Sequence, residues 1–314
     1  MAPRAIVRGA LSAVKTGVPV VLVGDEHQLK GVVPRGCSVE IVHAGDAIAM
    51  DEKATAIRRK KDSSLYRTLE LVRDKEASAA VSCGHTGALL VGSVLLLGIM
   101  EGVERPAIAT VFPRRDGGRL VMLDAGANID CRPEQLACFA LLGTAYAQVL
   151  GTNRPRVGLL SNGEEREKGN LLARAALPLL EELPIHFVGY VEATTAMDGA
   201  CDVLVCDGFI GNLLLKAAEG ATTTVVQLLK EEIGRHPTAL LGAWLLRGAF
   251  RRFRRRVEWD AHGGALLLGT KGLVVVGHGR ANAAAVKSAV CVAHRAAEGR
   301  LVECVSQQLQ AGGG

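Results

Sequence analysis

The sequence predicts a three-layer α/β/α fold around a mostly parallel, Rossmann-like sheet, and three observations lead there. Short apolar runs alternate with longer helical segments along nearly the whole chain, the order that a parallel sheet with helices on both faces produces. Several of those runs are continuously apolar and rich in Val or Leu, as strands covered on both faces must be. Aromatic residues make up only 4% of the chain while Gly numbers 37, a balance that suits tight helix-on-sheet packing. The same scarcity of rings argues against a stacking platform for single-stranded nucleic acid. With 314 residues, 49% hydrophobic and 22% charged, the chain has enough material for one large α/β domain or two smaller ones and is not disordered.

The candidate strands are 18–23, 38–42, 79–82, 108–112, 119–123, 157–160, 186–191, 203–206 and 273–276. The candidate helices are 3–16, 51–60, 63–75, 86–100, 133–151, 168–182, 212–234, 238–256 and 282–310. Pro3 stands where a helix tolerates proline, in its first turn, with no strand ahead of it. Residues 82–100 carry no Asp, Glu, Lys or Arg and are long enough to span a bilayer. They open, however, on the turn-like Ser82-Cys-Gly-His-Thr-Gly87 and lack cationic flanks, so a buried helix after a buried strand is expected. The eight cysteines include no C-x-x-C pair and read as small core residues in a reducing compartment. The first residues show neither the apolar core nor the cleavage site of a signal peptide.

Strand-to-helix junctions gather helix N-termini and free backbone N–H groups, so ligands bind there in such folds. Five junctions are unusually polar: Ser82 to Gly87 with His85; Asp124-Ala-Gly-Ala-Asn128 with Asp130; Ser161-Asn-Gly-Glu-Glu165 with Lys168-Gly-Asn170; Asp207-Gly-Phe-Ile-Gly-Asn212 with Lys216; and Gly277-His-Gly279. Each on its own reads as turn glycines and helix caps. Five of them in one sheet point to a shared site. Nucleotide fingerprints are missing: no G-x-G-x-x-G follows a strand, and Gly264-Ala-Leu-Leu-Leu-Gly269-Thr-Lys271 is too apolar to cradle phosphates. No G-x-S-x-G elbow is present either.

The pattern as a whole resembles the bacterial phosphate acyltransferases of the PlsX family. The resemblance rests on Met50-Asp-Glu-Lys53, Arg58-Arg-Lys-Lys-Asp-Ser-Ser64, Gly84-His-Thr-Gly-Ala88 and Asp124-Ala-Gly-Ala-Asn-Ile-Asp130. It continues through Gly158-Leu-Leu-Ser-Asn-Gly-Glu-Glu165, Lys168-Gly-Asn170, Val205-Cys-Asp-Gly-Phe-Ile-Gly-Asn212, Lys216 and Gly263-Gly-Ala265. These blocks are collinear and cover nearly the whole chain. The resemblance implies transfer of a fatty acyl group from acyl carrier protein, or from acyl-CoA, to inorganic phosphate, giving acyl phosphate for phospholipid synthesis. It implies a homodimer, a single acyltransferase domain with a helical projection near 212–260, and a fold similar to phosphotransacetylases and the isocitrate/isopropylmalate dehydrogenases. Departures are also visible. The family opens with a strand and a D-A-M-G-G-D-like turn before the Ala-Pro found here as Ala2-Pro3, Asn is usual at His85, Tyr at Ala261 and Pro at Leu266.

Such chemistry needs a phosphate held and aimed at a thioester carbonyl, with donors waiting for the oxyanion. It requires no cofactor, no metal and no covalent enzyme intermediate. The candidate catalytic residues are Lys168 and Lys216 for phosphate charge, Asn162 as an orienting donor, Asp207, and His85. Asp124, Asn128, Asn170, Gly211, Asn212 and His278 are candidate substrate-binding residues.

The formal net charge of +5 comes from one segment, since six arginines lie between Arg247 and Arg256. Leu246, Phe250, Phe253 and Val257 share one helical face, and Arg247, Arg251 and Arg254 share a neighbouring stripe. Large apolar residues beside clustered arginines suit the headgroup boundary of an anionic bilayer. Packing on a partner subunit and docking of the acidic carrier protein are the alternatives. The expected location is the cytoplasm, peripherally at the inner membrane surface, near the membrane glycerol-3-phosphate acyltransferase that uses acyl phosphate. The run Arg58-Arg-Lys-Lys61 is a second docking candidate.

Overall fold

The computed structural model describes residues 3–37, 39–235, 237–252, 264–279 and 281–312. The chain enters through α1 (Arg4–Val14), β1 (Val21–Gly24), α2 (Glu26–Lys30) and β2 (Glu40–His43), then α3 (Ser64–Arg73), β3 (Ala79–Ser82) and α4 (Thr86–Leu97). The middle of the chain supplies β4 (Ala107–Pro113), β5 (Arg119–Leu123), α5 (Pro133–Val149), β6 (Arg156–Leu160), α6 (Leu171–Glu181), β7 (His186–Val191), α7 (Ala193–Asp198) and β8 (Val203–Val205). Last come α8 (Gly208–Arg235), α9 (Pro237–Leu245), β9 (Ala265–Leu268), β10 (Leu273–Val276), α10 (Ala283–Glu298) and α11 (Leu301–Gly312).

Eight strands form one sheet in the order β3-β10-β9-β4-β5-β8-β6-β7, while β1 and β2 form a separate parallel pair. The alternation of strand side chains builds two apolar layers. Val121, Leu123, Val203, Val205, Leu266, Leu268 and Val275 face α5, α6, α10 and α11. Leu120, Met122, Leu204, Leu267 and Val274 face α3, α4, α7 and the root of α8. The three-layer expectation therefore holds.

The sheet is mixed, and its directions matter for function. β10 pairs parallel with β3, but β9 is antiparallel to both β10 and β4, and β4 is antiparallel to β5. β8 then runs parallel to β5 and β6, and β7 parallel to β6. Hence β3 and β10 end at one edge of the sheet, and β5, β6, β7 and β8 end at the other.

Several elements differ from expectation. The run Gly264–Lys271 is β9 and its turn; Leu266 and Leu268 enter one layer and Leu267 the other. Residues 51–60 give only a 3-10 turn, Ala54–Arg58, because Lys60 Nζ bonds Glu52 Oε2 at 2.9 Å and the Ala47 carbonyl at 2.9 Å. Such local bonds compete with helix formation. The predicted helix 282–310 is two helices, since Gly299 lies against Val149 and Arg300 takes φ of 48°. α2 and α7 are short additions. α4 ends at Gly98, with φ of 80°, and buries Ala88, Leu89, Gly92 and Ser93. Among the described residues no helix is long and apolar enough to cross a membrane.

Asp202, just before β8, clamps the amino ends of the sheet. It pairs with Arg114 and with Arg156, whose Nε lies 3.0 Å away and whose backbone N–H donates at 2.8 Å. Burial pushes its carboxyl up, but the bonds from Arg156 and Arg114 outweigh that and leave it below its ordinary value. A lowered carboxylate supplies stability above the unfolded-state value and loses it as pH falls through the folded value. Asp202→Asn is therefore expected to cost about 3 kcal/mol at neutral pH. It should also flatten the loss of stability below the ordinary aspartate range, which thermal melts across pH will measure.

Candidate active site

β5, β8 and β6 lie side by side, and each ends in one of the polar junctions. After β5, Asp124 turns inward. Its Oδ1 accepts N–H bonds from Ile108, Gly126 and Ala127, each at 3.0 Å. Its Oδ2 accepts the backbone N–H of Asn128 at 2.6 Å and its side-chain amide at 2.9 Å. That amide also donates to the Pro106 carbonyl at 2.9 Å. Asp124 is fully buried and Asn128 nearly so. Burial pushes the Asp124 carboxyl up against the pull of these donors. Both residues thus organise the loop, and their side-chain bonds among the described residues go to it and to the start of β4.

α8 docks onto that loop. The Gly208 N–H donates to the Asn128 carbonyl at 2.8 Å. A β-carbon on Gly211 would stand 1.9 Å from the Asp124 carbonyl oxygen, so only glycine permits the approach. Asn212 lies over Gly126, its Cβ 3.3 Å from where a β-carbon there would be. Asp207 Oδ1 accepts from the N–H groups of Phe209 at 3.0 Å and Ile210 at 2.9 Å, and its carbonyl accepts from Gly211 at 2.9 Å. The junction read as a loop is thus already helix, and its N-terminal donors are all taken.

After β6 the loop closes on itself. Asn162 Oδ1 accepts from the Gly169 N–H at 3.0 Å, which leaves its amide NH₂ as a donor. Lys168 is half-buried, its stem against Gly163. Gly169 takes φ of 83°, which L-residues avoid. Asn170 caps α6 by accepting from Ala173 N–H at 2.8 Å, and its carbonyl takes the Arg174 N–H at 3.0 Å. The N–H groups of Leu171 and Leu172 have no protein partner among the described residues. This helix end, next to Lys168, offers donors and positive charge of the kind that suits an anion.

Asn170 and Asp207 meet at a shallow crevice of about 20 Å³, open to solvent and walled by Leu136, Leu159, Leu160, Leu172 and Ile210. The structure thus brings together Asn162, Lys168, Asn170, Asp207, Gly211 and Asn212. Lys216 is exposed on α8, one turn beyond Asn212. The two histidines are not part of this group, because the antiparallel insertion sends β3 and β10 to the opposite edge. His85 Nδ1 accepts the Ala88 N–H at 3.1 Å, so its Nε2 donates to the Glu52 carbonyl at 2.8 Å. It caps α4, and both of its ring nitrogens are engaged. His278 sits in the loop after β10, where Gly279 approaches Met50 and Cys83.

Tyr190 escaped sequence reading, and two of the cysteines expected in the core, Cys131 and Cys206, lie at this site. Tyr190 is buried on β7 with its hydroxyl unpartnered, 3.3 Å from where a β-carbon on Gly169 would stand. Cys131 lies beside Asp124 and Asp207, and burial pushes its thiol up to about 11. Cys206 lines the crevice, and burial holds its thiol well above the ordinary range. Neither thiol is a ready nucleophile. In the basic segment Leu246, Arg247 and Arg251 are exposed and Phe250 is half-buried. Phe253 and Arg254 lie outside the described residues, as does Ala261.

Gly211→Ala is expected to lower stability by about 1–3 kcal/mol through overpacking against the Asp124 carbonyl. Thermal denaturation will measure it; a wild-type melting point would mean α8 does not dock this closely.

Comparison with known proteins adds the family. The fatty acid synthesis protein family matches residues 1–303. A phosphate acyltransferase of Brevibacillus brevis is 45% identical, covering 98% of this chain and 94% of that one. That of Pelotomaculum thermopropionicum is also 45% identical, covering 98% and 92%. Among solved structures, a phosphotransacetylase from Streptococcus pyogenes has a TM-score of 0.63 at 16% identity, covering 96% of this chain and 92% of that chain. A branched-chain phosphotransacylase from Enterococcus faecalis has a TM-score of 0.55 at 16% identity, covering 93% and 95%. These two likenesses show the expected fold. The chain belongs to the fatty acid synthesis protein family, the PlsX phosphate acyltransferases, and is an acyltransferase.

Proposed function

We propose that this chain moves a fatty acyl group from acyl carrier protein to inorganic phosphate, and that the acyl phosphate serves phospholipid synthesis. The observation that carries the reading is the N-terminus of α6, where two N–H groups without a partner among the described residues and Lys168 adjoin an apolar crevice. An anion and an acyl chain need these two surroundings side by side.

In the reaction a phosphate oxygen attacks the thioester carbonyl, the new C–O bond forms, and the C–S bond breaks. The proton of hydrogen phosphate ends on the departing thiol, so the balance needs no other reactant. Leu171 and Leu172 N–H and Lys168 hold phosphate in attacking position, and the Asn162 amide supplies a donor for the oxyanion. Asp207 and Asn170 fix the two helix ends. A crevice of about 20 Å³ offers no tunnel for a long chain, so a short-chain acyl-CoA donor is the second reading; comparing turnover of the two thioesters separates them.

The rest of the surface supports an assembly at the membrane. α8 has 28 residues yet buries only Gly208 and Gly211. Its exposed Leu213, Val225, Leu228 and Leu229 suit a second copy of the chain in a homodimer. Beyond it Trp244, Leu245 and Leu246 are exposed, and the Arg247 guanidinium lies 4.8 Å from the Trp244 ring. That pairing of rings and arginine suits an anionic headgroup layer, in keeping with peripheral attachment at the cytoplasmic face near the glycerol-3-phosphate acyltransferase. Carrier protein docks by its acidic surface on the same arginines in the alternative reading.

Lys168→Ala should lower kcat/KM for phosphate by about a hundredfold, the scale of one oriented transition-state contact. Lys216→Ala should do the same if its exposed ammonium reaches the phosphate; unaltered turnover removes it from the site. Replacing Leu246 and Phe250 with Ser should release the folded protein from anionic vesicles in a sedimentation assay, and persistent binding would place the contact elsewhere.

A further inference from the structure

We infer that Tyr190 is a positioning residue for the acyl transfer proposed above: its buried hydroxyl is the stop on which Gly169 rests, and through Gly169 it fixes where Lys168 stands. The inference rests on the reading of Lys168 as the cation that holds phosphate, and it adds the residue that sets its place.

The contact comes first. Tyr190 lies opposite Leu159 on the β6–β7 ladder and enters the apolar layer beneath α6 with Ala173, Ala176 and Leu177. Only 5% of it is exposed. The tip of its ring meets the backbone of the loop that joins β6 to α6. A β-carbon on Gly169 would stand 3.3 Å from the Tyr190 hydroxyl oxygen, 3.4 Å from Cζ and 3.1 Å from the Ala173 β-carbon. Gly169, at φ of 83°, therefore sits between the ring tip and the first turn of α6 with little room for a side chain.

The linkage comes second. The Gly169 N–H donates to Asn162 Oδ1 at 3.0 Å, and the Lys168 N–H donates to the Glu165 carbonyl at 2.9 Å. The Lys168 stem lies against Gly163. The two ends of the loop are thus tied to each other, so a shift of Gly169 carries Lys168 and Asn162 with it. These are the side chains read above as the phosphate cation and the oxyanion donor.

The hydroxyl itself comes third. It is buried and has no hydrogen-bond partner among the described residues. Such a group costs folding free energy, and phenylalanine would fill the same layer without that cost. Ser161 Oγ, at the root from which the loop departs, is buried without a partner as well. Ser161 is two residues beyond Leu159 on β6, so it shares the face on which Tyr190 lies. Two hydroxyls that stability alone would discard thus stand beneath one loop, and local rules are broken in this way at functional sites. The Tyr190 oxygen supplies the last atom of length that holds Gly169 away from the sheet.

The test measures acyl phosphate formation by the full chain from a long-chain acyl carrier protein and inorganic phosphate, in Tyr190→Phe, Lys168→Ala and the double variant. Tyr190→Phe removes one oxygen and no hydrogen bond, so its melting point should equal or exceed that of wild type. Its KM for phosphate should rise about tenfold, within the roughly hundredfold that a misplacement of about 1 Å can cost. The KM for the thioester should stay within about twofold, and in the Lys168→Ala background the same change should alter kcat/KM for phosphate by less than about twofold, because the group it positions is gone. A phosphate KM within about twofold of wild type in Tyr190→Phe, beside a lowered rate in Lys168→Ala, overturns the inference and leaves Lys168 in the site. An equal effect of Tyr190→Phe in both backgrounds overturns it too, as does a lowered melting point with both KM values raised alike. Unchanged phosphate kinetics in Lys168→Ala overturn the reading of Lys168 and this inference together. A wild-type chain that yields no acyl phosphate overturns the transfer reading and the role of Tyr190 with it.

Discussion

The buried carboxylate of Asp124 is the fixed point of the candidate site. A carboxyl group with no exposure would cost several kcal/mol if its oxygens lacked partners, and five donors from Ile108, Gly126, Ala127 and Asn128 supply them. Those bonds tie the end of β5 to the start of β4 and curl the loop so that the Asn128 carbonyl meets Gly208. Gly211 then brings α8 down on the Asp124 carbonyl, and the position of Asp207 and of one crevice wall follows. A residue with that duty has no oxygen to spare for substrate.

Much of the scaffold was legible because strand burial writes a simple pattern. Runs such as 119–123 and 203–206 are apolar at successive positions, since one side chain enters each layer. What was not legible came from partners remote in sequence. Leu266 to Leu268 is assigned no element from sequence, and only pairing with β4 and β10 makes it a strand. The break at Gly299 depends on Val149, which lies about half the chain away. The three antiparallel pairings β10-β9, β9-β4 and β4-β5 also leave β5, β8, β6 and β7 running opposite to β3 and β10, so junctions that looked equivalent stand at opposite edges.

The same limit shaped the site. Asp207-Gly-Phe-Ile-Gly-Asn212 and Lys168-Gly-Asn170 carry the same vocabulary of Gly, Asn and Asp before a helix. Sequence cannot say whether the N–H groups behind that vocabulary are already bonded. In α8 they are, to Asn128 and Asp207; in α6 two are not. His85 is the third case, a cap whose second nitrogen is committed to the Glu52 carbonyl.

Charge sharpens that distinction. Both helix ends carry the partial positive charge of their dipoles. At α8 the carboxylate of Asp207 already answers it, and its own charge disfavours a second anion close by. At α6 the cap is the neutral amide of Asn170, and Lys168 adds a full positive charge one turn of chain earlier. On the proposed reading, phosphate is therefore drawn to the α6 side rather than to the α8 side. The asymmetry between one carboxylate cap and one amide cap thus sets, on that reading, the side from which phosphate meets the thioester.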